Sequence, residues 1–111
     1  MADCIFCNIV AGKIPGKKIY EDDELLAFRD INPQAPVHFL VIPKVHIPGI
    51  MEAEAGLLGK LLYRARELAV QEGCGGRGCR FVINCKEDGG QTVDHLHVHV
   101  LGGRLLAWPP G

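Results

Sequence analysis

Hydrophobic and polar positions alternate most regularly near the C-terminal end of the chain, in the stretch HLHVHVL over residues 95–101. Successive side chains of a strand point to opposite faces, so this pattern predicts a strand with three histidines on a solvated face and apolar residues on a core face. An imidazole has an ordinary pKa of about 6.5 and can act as acid, base, nucleophile or metal ligand. A purely structural role and a metal site alone are the alternative interpretations.

The other hydrophobic patterns predict an α+β fold. Leucines and alanines recur at helical spacing in mid-chain and predict one long amphipathic helix that covers a sheet. Asp3 is the predicted N-cap of a short first helix, and Gly12 its predicted stop. Strands in series before and after the long helix are typical of an antiparallel sheet. The predicted elements are helices over residues 4–10 and 53–71 and strands over 18–21, 25–29, 37–42, 80–84 and 95–101.

Size and charge narrow the function. A chain of 111 residues has the size of one domain, and 12 basic against 13 acidic residues give a formal net charge of −1. Without a basic block we expect no nucleic-acid partner. No signal peptide opens the chain and no stretch has membrane-spanning length, so we expect a cytoplasmic protein with no membrane partner. Five cysteines, an odd number, indicate reduced thiols or metal ligands.

Two glycine-rich stretches differ in what they predict. Residues 88–92, DGGQT, offer backbone amides and a hydroxyl directly before the histidines. Such groups can hold phosphate oxygens, and we expect the amides near Gly90 and Gln91 to stabilise charge there. Residues 73–78 lack the strand-to-helix order and the Gly-Lys-Ser/Thr of a phosphate loop, which predicts a flexible connector.

The two ends of the chain predict a ligand site and an interface. Cys4 and Cys7 have the Cys-x-x-Cys spacing of a metal chelate, although a thiol pair without a ligand is the alternative. The C-terminal segment 105–111 carries apolar residues that would be poorly placed in a free tail. We expect it to pack on a second subunit through Trp108, near the partner's substrate region.

The motifs together resemble the histidine triad (HIT) family, and within it the Hint branch. The resemblance implies a HIT-like fold, in which a five-stranded antiparallel sheet carries one long helix and a short N-terminal helix. It also implies a single HIT domain over residues 1–111 and a homodimer whose sheets join into a continuous ten-stranded sheet. The matching motifs are His-x-His-x-His and residues 30–36, 38–44, 89–93, 101–104 and 108–111.

The resemblance implies a purine nucleoside phosphoramidase. Such an enzyme hydrolyses the P–N bond of nucleoside 5′-monophosphoramidates, such as AMP-NH2 or AMP-lysine, and leaves AMP or GMP as product. Attack by a neutral imidazole gives a nucleotidyl-histidine that water cleaves, and this chemistry needs no cofactor. The alternatives are a dinucleoside polyphosphate hydrolase, a non-catalytic nucleotide-binding or scaffold protein, and a zinc-binding module.

The resemblance also implies a role for each histidine. His97 matches the nucleophile and His99 a phosphate contact, whereas His38 and His95 match the histidines that orient the nucleophile. We expect a network of His97, His99 and Thr92 to protonate the leaving amine. The matched nucleotide-binding residues are Phe6, Ile14, Phe28, Asp30 and Ile31 around the nucleoside, with Asp30 at the ribose hydroxyls, and Asn84, Gln91 and Thr92 on the phosphate side.

A structural zinc site is implied as well. Family members with a similar N-terminus hold zinc with both cysteines, the histidine of the Pro-Lys-x-His segment and the first triad histidine. In this chain those positions are Cys4, Cys7, His46 and His95. A site with four protein ligands has no open position for water, so we expect the ion to hold the N-terminal helix against the sheet and to take no part in catalysis.

Overall fold

The computed structural model describes residues 3–111, and their fold is α+β, as predicted. The five strands form one antiparallel sheet in the order β1-β2-β3-β5-β4. The predicted five-stranded sheet, long helix and short N-terminal helix are therefore confirmed. The elements are α1 (Ile5–Val10), β1 (Lys18–Glu21), β2 (Leu25–Arg29), β3 (Val37–Pro43), a 3-10 turn (Ile50–Glu52), α2 (Ala55–Gln71), β4 (Cys79–Val82) and β5 (Val98–Gly102).

The apolar run predicted as a central strand is the middle of the sheet. β3 is buried at every residue except its first, because strands pair with it on both edges and helices cover both of its faces. Its Leu40 lies opposite Phe28 of β2 and His99 of β5. This register places a pocket-forming phenylalanine and a histidine on either side of one β3 residue.

Each face of the sheet has its own hydrophobic core. The face under α2 contains the apolar residues that alternate with the histidines, so the predicted separation of the two sets is confirmed. The opposite face, under α1, contains the histidines. The α2 core includes Leu61, Ala65, Leu68, Leu96, Val98 and Val100. The α1 core consists of Phe6, Ile9, Leu26, Phe28, Leu40 and Ile42.

The histidine segment enters the sheet later than predicted. β5 begins at Val98, so His95 and His97 precede the strand. The physical reason is that the Leu96 amide donates to the Ile47 carbonyl at 2.7 Å instead of to a neighbouring strand. The prediction of a solvated histidine face is also wrong, because His95 and His97 are buried under α1.

Several element ends differ from the predictions. The N-cap of α1 is Cys4, whose Sγ accepts from the Cys7 amide at 3.3 Å, and the C-cap is Ala11. Asp3 therefore does not cap this helix, whereas Gly12, directly after the C-cap and with a φ of 77°, ends it as predicted. α2 begins at residue 55, and β4 spans residues 79–82.

The connector between α2 and β4 is anchored to the core. Cys74 is buried there, and both its amide and its thiol donate to the Ala69 carbonyl. The connector over 73–78, which was predicted to be flexible, is therefore anchored to the core at Cys74. No helix within residues 3–111 is long and apolar enough to cross a membrane.

Candidate functional site

A cavity of about 810 Å³ opens on the α1 face of the sheet. One wall is apolar, where Phe6 of α1 meets Phe28 of β2 edge to face at 5.5 Å between ring centroids. Imidazoles and a carboxylate also line the cavity, which therefore combines an apolar surface with a few polar groups, as ligand pockets commonly do. The predicted site residues that line the cavity are Phe6, Ile14, Phe28, Asp30, Ile31, His38, Thr92, His97 and His99.

His97 is held in one tautomer by the main chain. Its Nδ1 lies 2.7 Å from the carbonyl oxygen of His95. A carbonyl oxygen can only accept, so Nδ1 carries the proton and Nε2 keeps the lone pair. Burial lowers the pKa of His97 below its ordinary value, which favours the neutral ring. Nε2 of His97 is therefore a nucleophilic nitrogen at neutral pH.

His38 and His99 form a second chain of fixed tautomers. The main-chain N–H of Gln34 donates to His38 Nδ1 at 3.0 Å, so the proton of the neutral His38 ring is on Nε2. This Nε2–H donates to His99 Nδ1 at 2.9 Å. Asp30 Oδ2 lies 3.3 Å from the same His38 Nε2. The proton of neutral His99 is consequently on its own Nε2. His99 thus offers a donor where His97 offers a lone pair.

Burial is also the main reason why these two rings are neutral. It lowers the pKa of His38 and, with repulsion from His97 and His38, lowers the pKa of His99 to about 4. The Asp30 carboxylate opposes both shifts but does not cancel them. The site therefore consists of neutral imidazoles at neutral pH.

The role expected for His38 is wrong in one respect. His38 was expected to help hold the tautomer of His97, but it hydrogen-bonds to His99, and the His95 main-chain oxygen fixes the tautomer of His97. Asp30, expected at the ribose hydroxyls, lines the cavity, but its Oδ1 accepts from the Asn32 amide at 2.8 Å. The structure thus gives Asp30 a role in shaping the site in addition to any ligand contact.

The glycine-rich turn does not present the predicted amides. The Gly90 and Gln91 amides donate to the carbonyls of Glu87 and Lys86, at 3.0 Å each. The Gln91 side chain accepts from the Lys86 amide and donates to the carbonyls of Pro48 and Val93. Gln91 therefore stabilises the turn. Three predicted phosphate-side residues, Asn84, Gly90 and Gln91, do not line the cavity.

Trp108 lies away from the cavity of its own chain. Its side chain is exposed, and its ring centroid is 5.9 Å from the Arg80 guanidinium carbon. The same guanidinium donates to the carbonyls of Leu106 and Ala107. The C-terminal segment is thus attached to β4, and a contribution of Trp108 to a partner's site stays a prediction.

The four predicted zinc ligands come together. Their ligand atoms all lie within 4.8 Å of one another. His95 Nδ1 is 3.3 Å from Cys4 Sγ and 3.6 Å from Cys7 Sγ, and His46 Nδ1 is 3.3 Å from Cys7 Sγ. Ideal tetrahedral zinc would separate a sulfur and a nitrogen ligand by about 3.5 Å. Because His95 Nε2–H donates to the Pro43 carbonyl at 2.8 Å, its Nδ1 lone pair faces the thiols. The residues fit a zinc ion.

A second group of possible ligands does not fit a metal. Asp30, His38 and His99 also bring their ligand atoms within 4.8 Å of one another. However, the Gln34 amide occupies Nδ1 of His38, so His38 Nε2 carries a proton and has no lone pair to give. This group is a hydrogen-bond chain.

Several residues of the site were not singled out in the sequence. Lys17 and Val93 are among the further residues that line the cavity, and the Gln34 amide fixes His38. Lys17 directly precedes β1, and no pattern in the sequence connects it with the histidines. The sequence pattern did not indicate that the Gln34 amide donates to His38. Every residue except proline has a main-chain N–H, so residue type does not single out this donor.

The fold and the site define a small α+β protein in which three histidines line one cavity. The HIT domain family matches residues 11–106, and the chain belongs to that family. It is 56% identical over 98% of its length to an uncharacterized HIT-like protein from Synechococcus elongatus, of which 97% is covered. It is 51% identical to a 14 kDa zinc-binding protein from Brassica juncea, with 98% of this chain and 100% of that protein covered.

A solved structure supports the same assignment. The crystal structure of a HIT family hydrolase from Legionella pneumophila matches with a TM-score of 0.95 and 49% sequence identity. The match covers 98% of this chain and 100% of that one. The predicted family is therefore confirmed.

Proposed function

We propose that this protein is a hydrolase that cleaves the P–N bond of purine nucleoside 5′-monophosphoramidates, through a nucleotidyl-histidine formed on His97. The observation that carries the proposal is the fixed tautomer of His97, whose Nδ1–H donates to the His95 carbonyl and whose Nε2 is left unprotonated. The family and the similarity to a HIT family hydrolase support the reaction class.

The first step forms a bond between His97 Nε2 and the α-phosphorus as the P–N bond breaks. The leaving amine takes up one proton, which enters from solvent and is relayed by the network of His97, His99 and Thr92, so His99 regains a proton as its Nε2–H is given up and stays neutral; the attacking water of the second step returns one proton to solvent. His97 becomes positively charged in this intermediate. The His95 carbonyl, which accepts its Nδ1–H, and the nearby Asp30 carboxylate stabilise that charge.

In the second step, water attacks the same phosphorus and the bond to His97 breaks. The electron pair returns to Nε2, and the nucleoside monophosphate leaves. Two displacements on a neutral imidazole replace one difficult displacement, and no cofactor is required. The apolar wall of Phe6, Ile14 and Phe28 has the character of a base-binding surface, since aromatic and aliphatic side chains bury the faces of a purine.

A structural zinc ion is part of the proposal. Cys4, Cys7, His46 and His95 would hold it, and the similar zinc-binding protein of Brassica juncea supports this assignment. An ion with four protein ligands supplies folding energy and no catalytic water.

The edges of the sheet support the proposed assembly. β4 is an edge strand whose Phe81 is exposed, and Leu62 and Tyr63 of α2 are exposed as well. An unprotected edge with apolar neighbours favours pairing with a second copy. The proposed assembly is a homodimer of single HIT domains over residues 1–111 with a continuous ten-stranded sheet. Its proposed location is the cytoplasm, with no nucleic-acid or membrane partner.

The test is a turnover assay with AMP-lysine, with diadenosine triphosphate as the competing substrate. The proposal expects AMP and lysine from the first and much slower cleavage of the second. Preference for diadenosine triphosphate would favour the dinucleoside polyphosphate hydrolase. Binding of AMP with no turnover of either compound would favour the non-catalytic alternative.

A further inference from the structure

We propose that metal binding by Cys4, Cys7, His46 and His95 positions the nucleophile His97, through the peptide group that joins His95 to Leu96. The proposal rests on the proposed function for its consequence in catalysis, but its geometry does not. The metal centre then determines the affinity and the order of the nucleotide cavity as well as the stability of the fold.

The His95–Leu96 peptide group is the link between the two sites. Its carbonyl oxygen accepts the Nδ1–H of His97 at 2.7 Å, and its N–H donates to the Ile47 carbonyl at 2.7 Å. Because a peptide group is planar, a rotation that disturbs one of these bonds disturbs the other. Its orientation therefore sets the orientation of the His97 ring.

Two metal ligands flank this peptide group. His95 contributes the carbonyl of this peptide group. His46 directly precedes Ile47, whose carbonyl accepts the N–H of the same peptide group. The segment lies outside the strand ladder, since β5 begins at Val98, so sheet pairing does not hold it. Ligation of both histidines would fix the peptide group from its two sides.

The cysteines extend the same coupling to the cavity wall. Cys4 caps α1 and Cys7 lies in its first turn, and Phe6 between them packs against His97 at 5.1 Å and His95 at 5.8 Å between centroids. A six-residue helix is not stable by itself, so its position depends on such attachments. Without an ion, the thiols offer only weak S···N hydrogen bonds.

The first experiment follows the Nδ1–H of His97 by NMR in the full-length protein, with zinc and after chelation. We expect faster exchange of this proton with solvent in the metal-free protein, and recovery when zinc is returned, while the amides of α2 stay protected. An unchanged exchange rate in metal-free, folded protein would overturn the proposal. This result does not depend on any substrate.

Variants keep the test valid if chelation unfolds the chain. His46→Gln removes one ligand that does not line the cavity, and we expect it to accelerate the same exchange. Cys85→Ser is the matched control, because Cys85 is a free thiol outside both sites, and it should leave the rate unchanged. Equal rates in His46→Gln and Cys85→Ser would contradict the coupling.

The second experiment is calorimetric. Coupled sites change each other's affinity by the same factor, so zinc should tighten AMP binding and AMP should tighten zinc binding by an equal factor of roughly ten. Equal AMP affinity with and without zinc overturns the proposal, whether or not AMP-lysine is hydrolysed. Conversely, coupling in a protein that hydrolyses no phosphoramidate would refute the proposed reaction and leave the positioning role intact.

Discussion

The depressed pKa of His99 makes the stability of the fold depend on pH. Burial and repulsion from His97 and His38 lower this pKa to about 4, whereas the unfolded chain has a value of about 6.5. Between these values the unfolded state binds the extra proton, so the free energy of unfolding falls as the pH falls from about 6.5 to about 4. The difference of roughly 2.5 pKa units corresponds to a loss of about 3 kcal/mol over this window.

The assay is urea unfolding at a series of pH values, for the wild type and for His99→Asn. An asparagine oxygen can still accept from His38 Nε2–H but cannot titrate. The wild type should lose about 3 kcal/mol more than the variant between the two pH limits. All other groups of the chain are common to the two proteins, so contributions that do not depend on residue 99 cancel in the comparison. Parallel pH profiles would refute the assignment of a neutral, half-buried His99.

Three further predictions concern the metal, the C-terminus and the cavity wall. Elemental analysis of protein purified without chelator should find about one zinc per chain, and metal-free protein would contradict the site. Deletion from Trp108 onward should change substrate selectivity more than folding, and sedimentation should show a dimer at micromolar concentration; a monomer would contradict the interface. Phe6→Ala should lower the free energy of unfolding by about 3 kcal/mol because Phe6 is buried against Phe28 and His97, whereas Met51→Ala at an exposed position should cost less than about 1 kcal/mol. Equal losses would contradict the assigned packing.

Periodicity predicted the parts of the fold that depend on burial. The apolar run of β3 and the spacing of Leu61, Ala65 and Leu68 in α2 each allowed one arrangement that buries them, and the structure has that arrangement. The beginning of β5 could not be predicted in this way. It depends on a single long-range bond, from the Leu96 amide to Ile47, that replaces a strand pairing.

The site was predicted by residue type but not by its hydrogen bonds. The family motif identified the cavity histidines and the four zinc ligands, because side-chain chemistry is visible in the sequence. The tautomers depend on the main-chain N–H of Gln34, which every residue type but proline could supply, and on the main-chain carbonyl of His95, which every residue type could supply. For the same reason the sequence predicted that the Gly90 and Gln91 amides bind phosphate. In the structure they donate instead to carbonyls of their own turn.

The most direct test of the central claim is to quench the reaction with AMP-lysine and to locate the covalent nucleotide by mass spectrometry. We expect an adenylyl group on His97, formed and consumed at rates that account for turnover. His97→Ala should lose turnover by several orders of magnitude, form no adduct, and still fold and bind AMP. Turnover without an adduct, an adduct on another residue, or near-normal turnover of His97→Ala would contradict the proposed mechanism.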